Sequence, residues 1–191
     1  SGVGFSPRRG PMKSSTLNDF RKGIEMAAQK PIVGVVMGSD SDLDIMKRCT
    51  EQLEQFGVAY EVRIISAHRT PEIAHEYSST ARDRGLKVII AAAGMSAALS
   101  GVLAASTTLP VIGVPINSGP LNGIDAALST LQMPPGIPVG GMAIGKAGAT
   151  NAAIFAAEIL AVSDGQLAQK LAAFKREQAE GVIAKDAKVR G

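Results

Sequence analysis

Two short polar segments carry residue types that could bind or transform a ligand, and each follows an apolar run. The segment Gly38–Asp42 reads GSDSD and follows the run Ile32–Met37. The segment Ser66–Thr70 reads SAHRT and follows the run Val58–Ile65. Ligands of open parallel sheets bind beyond the carboxyl ends of the strands. We therefore expect the functional site at these two segments.

The segment Ser66–Thr70 gives the stronger chemical signal. Arg69 and Ser66 could hold a phosphate group through charge-assisted hydrogen bonds. His68 could then donate and accept protons near neutral pH, as a general acid–base group does. A structural loop histidine beside a surface arginine is the alternative, and the local pattern does not separate the two. The other histidine, His75, falls within a helical pattern and is predicted to be solvated.

The segment Gly38–Asp42 lies between a predicted strand and a predicted helix. Serine and aspartate fit a helix N-cap there, because their oxygens accept hydrogen bonds from free backbone N–H groups. Four small polar residues in a row are more than a cap requires. Because two carboxylates would repel a phosphate, we assign them to hydroxyl groups such as those of a ribose.

Two glycine-containing segments complete the candidates. Ala91–Gly101 reads AAAGMSAALSG, and its small residues would let the backbone lie against a ligand. Close packing between helices or subunits would use the same residues. Gly145–Gly148 reads GKAG, but it lacks the glycine spacing of a Walker loop and the Ser or Thr after the lysine. We do not interpret it as a phosphate loop.

Composition narrows the class of protein. The chain has 191 residues, enough for one domain, and 46% of them are hydrophobic, which argues against disorder. The net charge is only +3 with dispersed basic residues, so nucleic-acid binding is not expected. No apolar segment of the sequence reaches the roughly 18 residues of a membrane span, and no signal-peptide pattern is found. We expect a cytoplasmic protein with no membrane association.

The single cysteine and the two histidines do not form a metal-binding pattern. Cys49 is predicted to be buried inside a helix, and it has no partner for a disulfide within the chain.

Apolar runs alternate with helical patterns five times, which predicts an α/β protein with a parallel sheet covered by helices on both faces. The predicted strands are Ile32–Met37, Val58–Ile65, Leu86–Ala93, Pro110–Val114 and Val139–Ile144. The predicted helices are Leu43–Phe56, Pro71–Arg84, Met95–Thr108, Ile124–Met133, Ala149–Val162 and Asp164–Gly181.

Two helices carry specific expectations. In the helix that begins at Pro71, the spacing of Ile73, Tyr77 and Ala81 predicts a buried face. The segment Ala149–Leu160 is apolar nearly all round, which predicts burial on several sides and packing against another copy of the chain.

The strings MGSDSD, SAHRTP, GVP, QMPPGIPVG and AIGKAGATNAA, in this order, resemble the PurE family of purine biosynthesis from about Pro31 to Asp164. That family comprises N5-carboxyaminoimidazole ribonucleotide (N5-CAIR) mutases, class I, and aminoimidazole ribonucleotide (AIR) carboxylases, class II. The resemblance implies a flavodoxin-like three-layer αβα sandwich with C-terminal helices. It also implies a homo-octamer that acts on a small ribonucleotide without a metal or organic cofactor.

The resemblance also implies roles for individual residues. His68 is the general acid–base group, Asp42 binds the ribose hydroxyls, and Arg69 holds the phosphate end. The Gly94 loop closes over the imidazole and the carboxylate that is moved. The implied substrate-binding residues are Gly38, Ser39, Asp42, Ser66, Ala67, Arg69, Gly94 and Ser96.

One stretch departs from the class I pattern. The histidine of class I members falls at Ala98 and the proline at Ser100, and the string SAALSG is similar to some class II members. Class II typically carries lysine at the position of Arg69 and arginine at that of Met95, which favours class I. Direct carboxylation of AIR by CO2 is the first alternative. A non-catalytic nucleotide-binding module is the second.

The sequence predicts a division of the chain into three parts. Residues 1–30 are interpreted as a tag or linker and an N-terminal extension, with Met12 as a natural start. Residues 31–181 form a single PurE-like domain, and residues 182–191 form a C-terminal tail.

Overall fold

The computed structural model describes residues 30–191, so the predicted N-terminal tag and extension, including Met12, lie outside the described residues. The strands of the described part are β1 Val33–Met37, β2 Tyr60–Ile64, β3 Val88–Gly94, β4 Val111–Ile116 and β5 Gly140–Gly141. Its α-helices are α1 Leu43–Phe56, α2 Pro71–Ser79, α3 Ala81–Arg84, α4 Leu99–Ala105, α5 Ile124–Leu131, α6 Lys146–Ala161 and α7 Gly165–Arg190.

The five strands form one sheet in the order β2-β1-β3-β4-β5, and every neighbouring pair is parallel. In the register of the sheet, Val35 of β1 pairs with Val62 of β2 and with Ile90 of β3. This strand order is that of flavodoxin-like folds, in which all strands end at the same edge of the sheet. The predicted three-layer α/β fold is therefore confirmed.

Helices cover both faces of the sheet because the inner strands are apolar on both sides. Val35 and Val36, neighbours on β1, are both fully buried but point to opposite faces. The face of Val35 packs against α1, α6 and α7. The face of Val36 packs against α2, α3 and α4. The helices thereby hold the strands rigidly, which fixes the loops that follow them.

Two predicted element boundaries differ at the strand ends that form the site. The helix expected from Met95 begins only at Leu99, because Met95–Ala98 forms a tight turn in which Met95 has a φ of 55°. Strand β4 continues through Pro115 to Ile116 rather than ending at Val114. The carbonyl of Pro115 accepts a hydrogen bond from the Gly145 N–H at 2.8 Å, so it points to the side where β5 has already ended. The N–H that proline lacks would point to the same side. Proline therefore removes no hydrogen bond between strands at that point.

Three further expectations need correction. Strand β5 is limited to Gly140–Gly141 instead of Val139–Ile144, because it is an edge strand that pairs only with Ile112 and Gly113. Ile73 is 44% exposed, and the buried face of α2 is formed instead by Ala74, Tyr77 and Ser78. The last helix continues to Arg190, beyond its expected end at Gly181.

The alanine-rich helix α6 is buried largely within its own chain. Ala152, Ala153, Ala156 and Ala157 are all inaccessible to solvent and belong to the core that α6 shares with α1. Because these alanines are already enclosed by their own chain, they are not available for the contact with another copy that was expected of the segment Ala149–Leu160. The apolar residue of α6 that reaches the surface is Phe155, which is 39% exposed.

Cys49 lies in α1 within the same core and is a free thiol. Burial raises the pKa of this thiol to about 12, as expected for a group whose charged form is kept from water. The predicted structural role of Cys49 is confirmed.

Candidate functional site

The loops that follow β1, β2, β3 and β4 converge at the carboxyl edge of the sheet around a cleft of about 390 Å³. The cleft is lined by every residue that was predicted for the site. These residues are Gly38, Ser39, Asp42, Ser66, Ala67, His68, Arg69, Gly94 and Ser96. These predicted residues, from the ends of β1, β2 and β3, thus meet in one place, as the parallel topology requires. Their individual roles remain predictions.

The loop after β1 is closed by its own polar side chains. The Gly38 N–H donates to the carbonyl of Ala92, which ties the end of β1 to β3. Ser39 is the N-cap of a short 3-10 turn, and its Oγ accepts from the Ser41 N–H at 3.3 Å. The Ser41 hydroxyl in turn reaches Asp42 Oδ1 at 3.3 Å. This arrangement fixes the carboxylate of Asp42 at the start of α1.

Asp42 is only 5% exposed although it carries an ionisable group. Burial raises the pKa of this carboxyl group, and the hydrogen bond from Ser41 partly offsets that effect. A carboxylate with so few water molecules around it gains by accepting hydrogen bonds from a ligand. This environment suits the binding of ribose hydroxyls.

The loop after β2 is a turn locked by Thr70. Thr70 Oγ1 donates to the Ser66 carbonyl at 2.9 Å and accepts from the Ser66 N–H at 3.1 Å. The Ser66 hydroxyl accepts from the Arg69 N–H at 3.1 Å. Pro71 then begins α2, where its missing N–H and fixed φ are tolerated. The turn leaves the side chains of His68 and Arg69 exposed at the cleft.

Arg69 forms no ion pair with any carboxylate of residues 30–191. Among the described residues that line the cleft, it is the only arginine or lysine. An unpaired guanidinium can form two parallel hydrogen bonds with a phosphate group. The anionic end of a ligand is therefore expected at the β2 side of the cleft.

The loop after β3 turns sharply beneath the cleft. Hydrogen bonds from Ala97 N–H to the Met95 carbonyl and from Ala98 N–H to the Ser96 carbonyl hold it, at 2.9 and 2.7 Å. A Cβ atom at Gly94 would collide with Ser118 Oγ, so a larger residue there would require Ser118 to shift. Ala98, at the position of the family histidine, lines the cleft with a methyl group.

Several lining residues were not in the predicted set: Ser41, Ala93, Met95, Ala98, Leu99 and Ser118. Ser118 belongs to the segment after β4, between the predicted strand Pro110–Val114 and the predicted helix Ile124–Met133. The sequence could have indicated Ser118 as a site residue, because it follows β4, another parallel strand that ends at the same edge of the sheet. His75, the second histidine, is exposed on α2 outside the cleft, where its Nδ1 lies 2.9 Å from Ser106 Oγ.

The described residues contain no group of three or more His, Cys, Asp or Glu side chains that could hold a metal ion. None of the helices in residues 30–191 combines the length and apolarity needed to cross a membrane. The cleft instead offers an arginine, an imidazole, a buried carboxylate and several hydroxyl groups. This set can bind a phosphorylated, hydroxylated ligand and transfer protons on it.

Comparison with known proteins agrees with this chemistry. The family model described as AIR carboxylase matches residues 32–181. The N5-carboxyaminoimidazole ribonucleotide mutase of Vibrio parahaemolyticus is 53% identical over 152 residues, which cover 80% of this chain and 94% of that protein. The mutase of Bacillus subtilis is 55% identical over 142 residues, or 74% of this chain and 88% of that protein.

A solved structure is also similar. The crystal structure of Treponema denticola PurE superposes with a TM-score of 0.73 at 32% sequence identity, covering 84% of this chain and 99% of that one. The family match spans more than half of this chain, and the relatives match over most of their length. The chain therefore belongs to the AIR carboxylase family, as the PurE resemblance of its motifs predicted.

Proposed function

We propose that the protein is an N5-CAIR mutase, which moves a carboxylate group from N5 to C4 of an aminoimidazole ribonucleotide in purine biosynthesis. The observation that carries this proposal is the meeting of His68, Arg69 and Asp42 in one cleft of a chain whose relatives are named as such mutases. Arg69 and Asp42 would anchor the ribonucleotide beside the imidazole of His68.

The substrate lies across the carboxyl edge of the sheet in this proposal. Its phosphate binds Arg69 and Ser66 at the end of β2, and its ribose hydroxyls bind Asp42 and Ser39 at the end of β1. Its imidazole then lies against the Gly94 loop at the end of β3. Because the phosphate and the ribose are both anchored, the position of the imidazole is fixed, which removes much of the entropic cost of the reaction.

In the first chemical step, the imidazolium of His68 donates its proton to N5 while the bond between N5 and the carboxylate carbon breaks. The electron pair of that bond stays on N5, and CO2 is released within the cleft. In the second step, C4 bonds to the CO2 carbon and the C4 proton passes to the imidazole of His68. The imidazolium is restored, and the substrate has been isomerised without gain or loss of atoms.

The CO2 must stay near C4 between the two steps. Ala93, Met95 and Leu99 form an apolar part of the cleft wall, which suits a small neutral molecule better than water. Holding CO2 against C4 makes its recapture effectively unimolecular.

Replacement of the proposed acid–base group is the direct test. His68→Asn should lower turnover by about 10²–10⁴-fold, because the proton transfers lose their donor and acceptor. Binding of the ribonucleotide, measured by calorimetry, should be retained because Arg69 and Asp42 are unchanged. His75→Asn is the matched control, since His75 is exposed outside the cleft. Near-normal turnover by His68→Asn would refute the role of His68.

A substrate assay separates the mutase from its alternatives. A mutase converts N5-CAIR without added bicarbonate. A class II carboxylase converts only AIR and only when CO2 is supplied. A non-catalytic module binds the ribonucleotide and converts neither. The alanine at position 98 motivates the last alternative, and appearance of activity on Ala98→His would favour it further.

We propose in addition that the enzyme is a cytoplasmic homo-octamer, in keeping with the family resemblance. A row of apolar residues on and just before α5 supports association with further copies of this chain. These residues are Leu121, Ile124, Leu128 and Leu131, each between 55% and 61% exposed. An apolar row of this kind on a helix surface is typical of an interface.

A further inference from the structure

Ser118 lies in the loop that follows β4, two residues beyond the end of that strand. Its side chain is half-buried and lines the same cleft as His68 and Arg69. In the described part of the chain, its hydrogen bond is made by the backbone, from the Ser118 N–H to the Ile116 carbonyl at 2.9 Å. Its hydroxyl group remains available to a ligand.

The position of Ser118 is set by two close contacts between loops. Its Oγ lies where a Cβ atom of Gly94 would be, so the loops after β3 and β4 touch at that point. Next to it, the side chain of Met95 lies over Gly119, since a Cβ atom there would be 3.2 Å from Met95 Cγ. Met95 is in the left-handed conformation, with a φ of 55°. A residue held in this conformation is a sign of a functional constraint.

The cleft is chemically different at its two ends. Arg69 follows β2, whereas Ser118 follows β4, and β1 and β3 lie between those strands. Three strand spacings of about 4.8 Å place the two loops roughly 14 Å apart across the sheet. No lysine or arginine lines the cleft at the β3 and β4 loops, and the side-chain donors there are the hydroxyls of Ser96 and Ser118.

We propose that Ser118 is the hydrogen-bond donor that recognises the carboxylate on C4 of the imidazole. This inference rests on the proposed mutase reaction, in which the carboxylated ring lies at the Gly94 loop. A carboxylate that must be released as CO2 and recaptured loses its negative charge during the reaction. A cation beside the carboxylate would stabilise its charged form and so oppose the release of CO2. A neutral hydroxyl group orients the carboxylate while opposing that release less. A hydroxyl at the end of the cleft that lacks cations meets this requirement.

The test compares two ligands that differ only in the carboxylate. Affinities for 4-carboxy-5-aminoimidazole ribonucleotide and for AIR are measured by calorimetry in the His68→Asn background, which prevents conversion. Ser118→Ala should weaken binding of the carboxylated ribonucleotide by about 10-fold or more, because one hydrogen bond to a charged group is lost. Affinity for AIR should be unchanged. Ser106→Ala, which alters a serine outside the cleft, is the matched control.

Thermal unfolding separates recognition from a structural role. Alanine keeps the Cβ atom of Ser118 beside Gly94, so the Tm of Ser118→Ala should equal that of the parent protein. Equal loss of affinity for both ligands, a loss for AIR alone, or no loss for either would overturn the proposal. Failure of the unmodified protein to convert N5-CAIR would instead refute the mutase function. The two failures are distinguishable, because the affinities for the carboxylated ribonucleotide and for AIR can be measured without turnover.

Discussion

The carboxyl group of Asp42 is held away from water at the point where the cleft meets the start of α1. Its neighbours are the hydroxyl of Ser41 and the nearby carboxylate of Asp40, which also raises the pKa of Asp42. Burial of a charge without a cationic partner costs stability in the free protein. A ribose that donates hydrogen bonds to Asp42 would recover part of that cost on binding.

Replacing Asp42 should reveal this cost as a dependence of stability on pH. The pKa of Asp42 is raised above 3.8 in the folded state. The contribution of the protonated carboxyl group to folding stability is therefore complete below pH 3.8 and is lost as the pH rises through the folded pKa. Asp42→Asn removes the buried charge. We expect a higher Tm than the parent protein at pH 7, with the difference vanishing below about pH 4, and weaker ribonucleotide binding.

The control for this experiment is Asp44→Asn, because Asp44 is exposed in the first turn of α1. Loss of a carboxylate at a helix N-terminus should lower the Tm slightly at neutral pH. If Asp42→Asn also lowered the Tm at pH 7, the burial penalty assigned to Asp42 would be wrong.

Cys49 allows a second test at the residue scale. Because its thiol is buried and its pKa is raised to about 12, almost no reactive thiolate forms at neutral pH. We expect no reaction with a colorimetric disulfide reagent in the native protein and one equivalent of reaction in denaturant. Full modification under native conditions would contradict the burial of Cys49.

At the scale of elements, the sequence predicts the existence of strands and helices better than their ends. Runs such as Ile32–Met37 are apolar because both faces of an inner strand are covered, and that pattern is local. The extension of β4 through Pro115 depends on where β5 stops, and the sequence of β4 carries no information about its neighbour. The side chain of Met95, at the turn after β3, likewise packs against Gly119 in a segment distant in sequence.

The same reasoning explains the prediction of the site. Gly38–Asp42 and Ser66–Thr70 could be identified because polar residues follow apolar strands and because their motifs resemble a known family. The place of Ser118 beside Gly94 could not be predicted from the motifs, since it results from contact between two loops that are distant in sequence. Contacts between distant segments are the part that a single sequence does not determine.

Two glycines on neighbouring helices give a test of helix packing. A Cβ atom at Gly148, in the first turn of α6, would collide with the carbonyl oxygen of Ala143. We expect Gly148→Ala to lower the free energy of unfolding by about 1–3 kcal/mol because the backbone must shift. The free energy is measured by denaturant titration.

The matched control is Gly181→Ala on α7, where, apart from the local helix backbone, no atom of the described residues lies within 4 Å of the added Cβ. Alanine there should raise the stability of the helix by up to about 1 kcal/mol through its higher helix propensity. If both variants were equally stable, the close approach of α6 to Ala143 would be disproved.

At the scale of the whole molecule, the candidate cleft and the exposed apolar row belong to connected segments. The loop that carries Ser118 continues through Leu121 into α5. Leu128 and its neighbours in that row face solvent, whereas the alanines of α6 are enclosed by their own chain. Association of copies through α5 would therefore support the loop that carries Ser118.

A pair of charge substitutions tests this arrangement. Leu128 is 55% exposed, so Leu128→Glu should leave the fold and its circular dichroism spectrum intact. A charge in an apolar interface is unfavourable, and light scattering should show a smaller assembly than that of the unmodified protein. Ala153→Glu buries a charge inside the chain and should instead prevent folding, because Ala153 has no solvent exposure. An unmodified protein that scatters as a 19.7 kDa monomer at micromolar concentration would refute the proposed assembly.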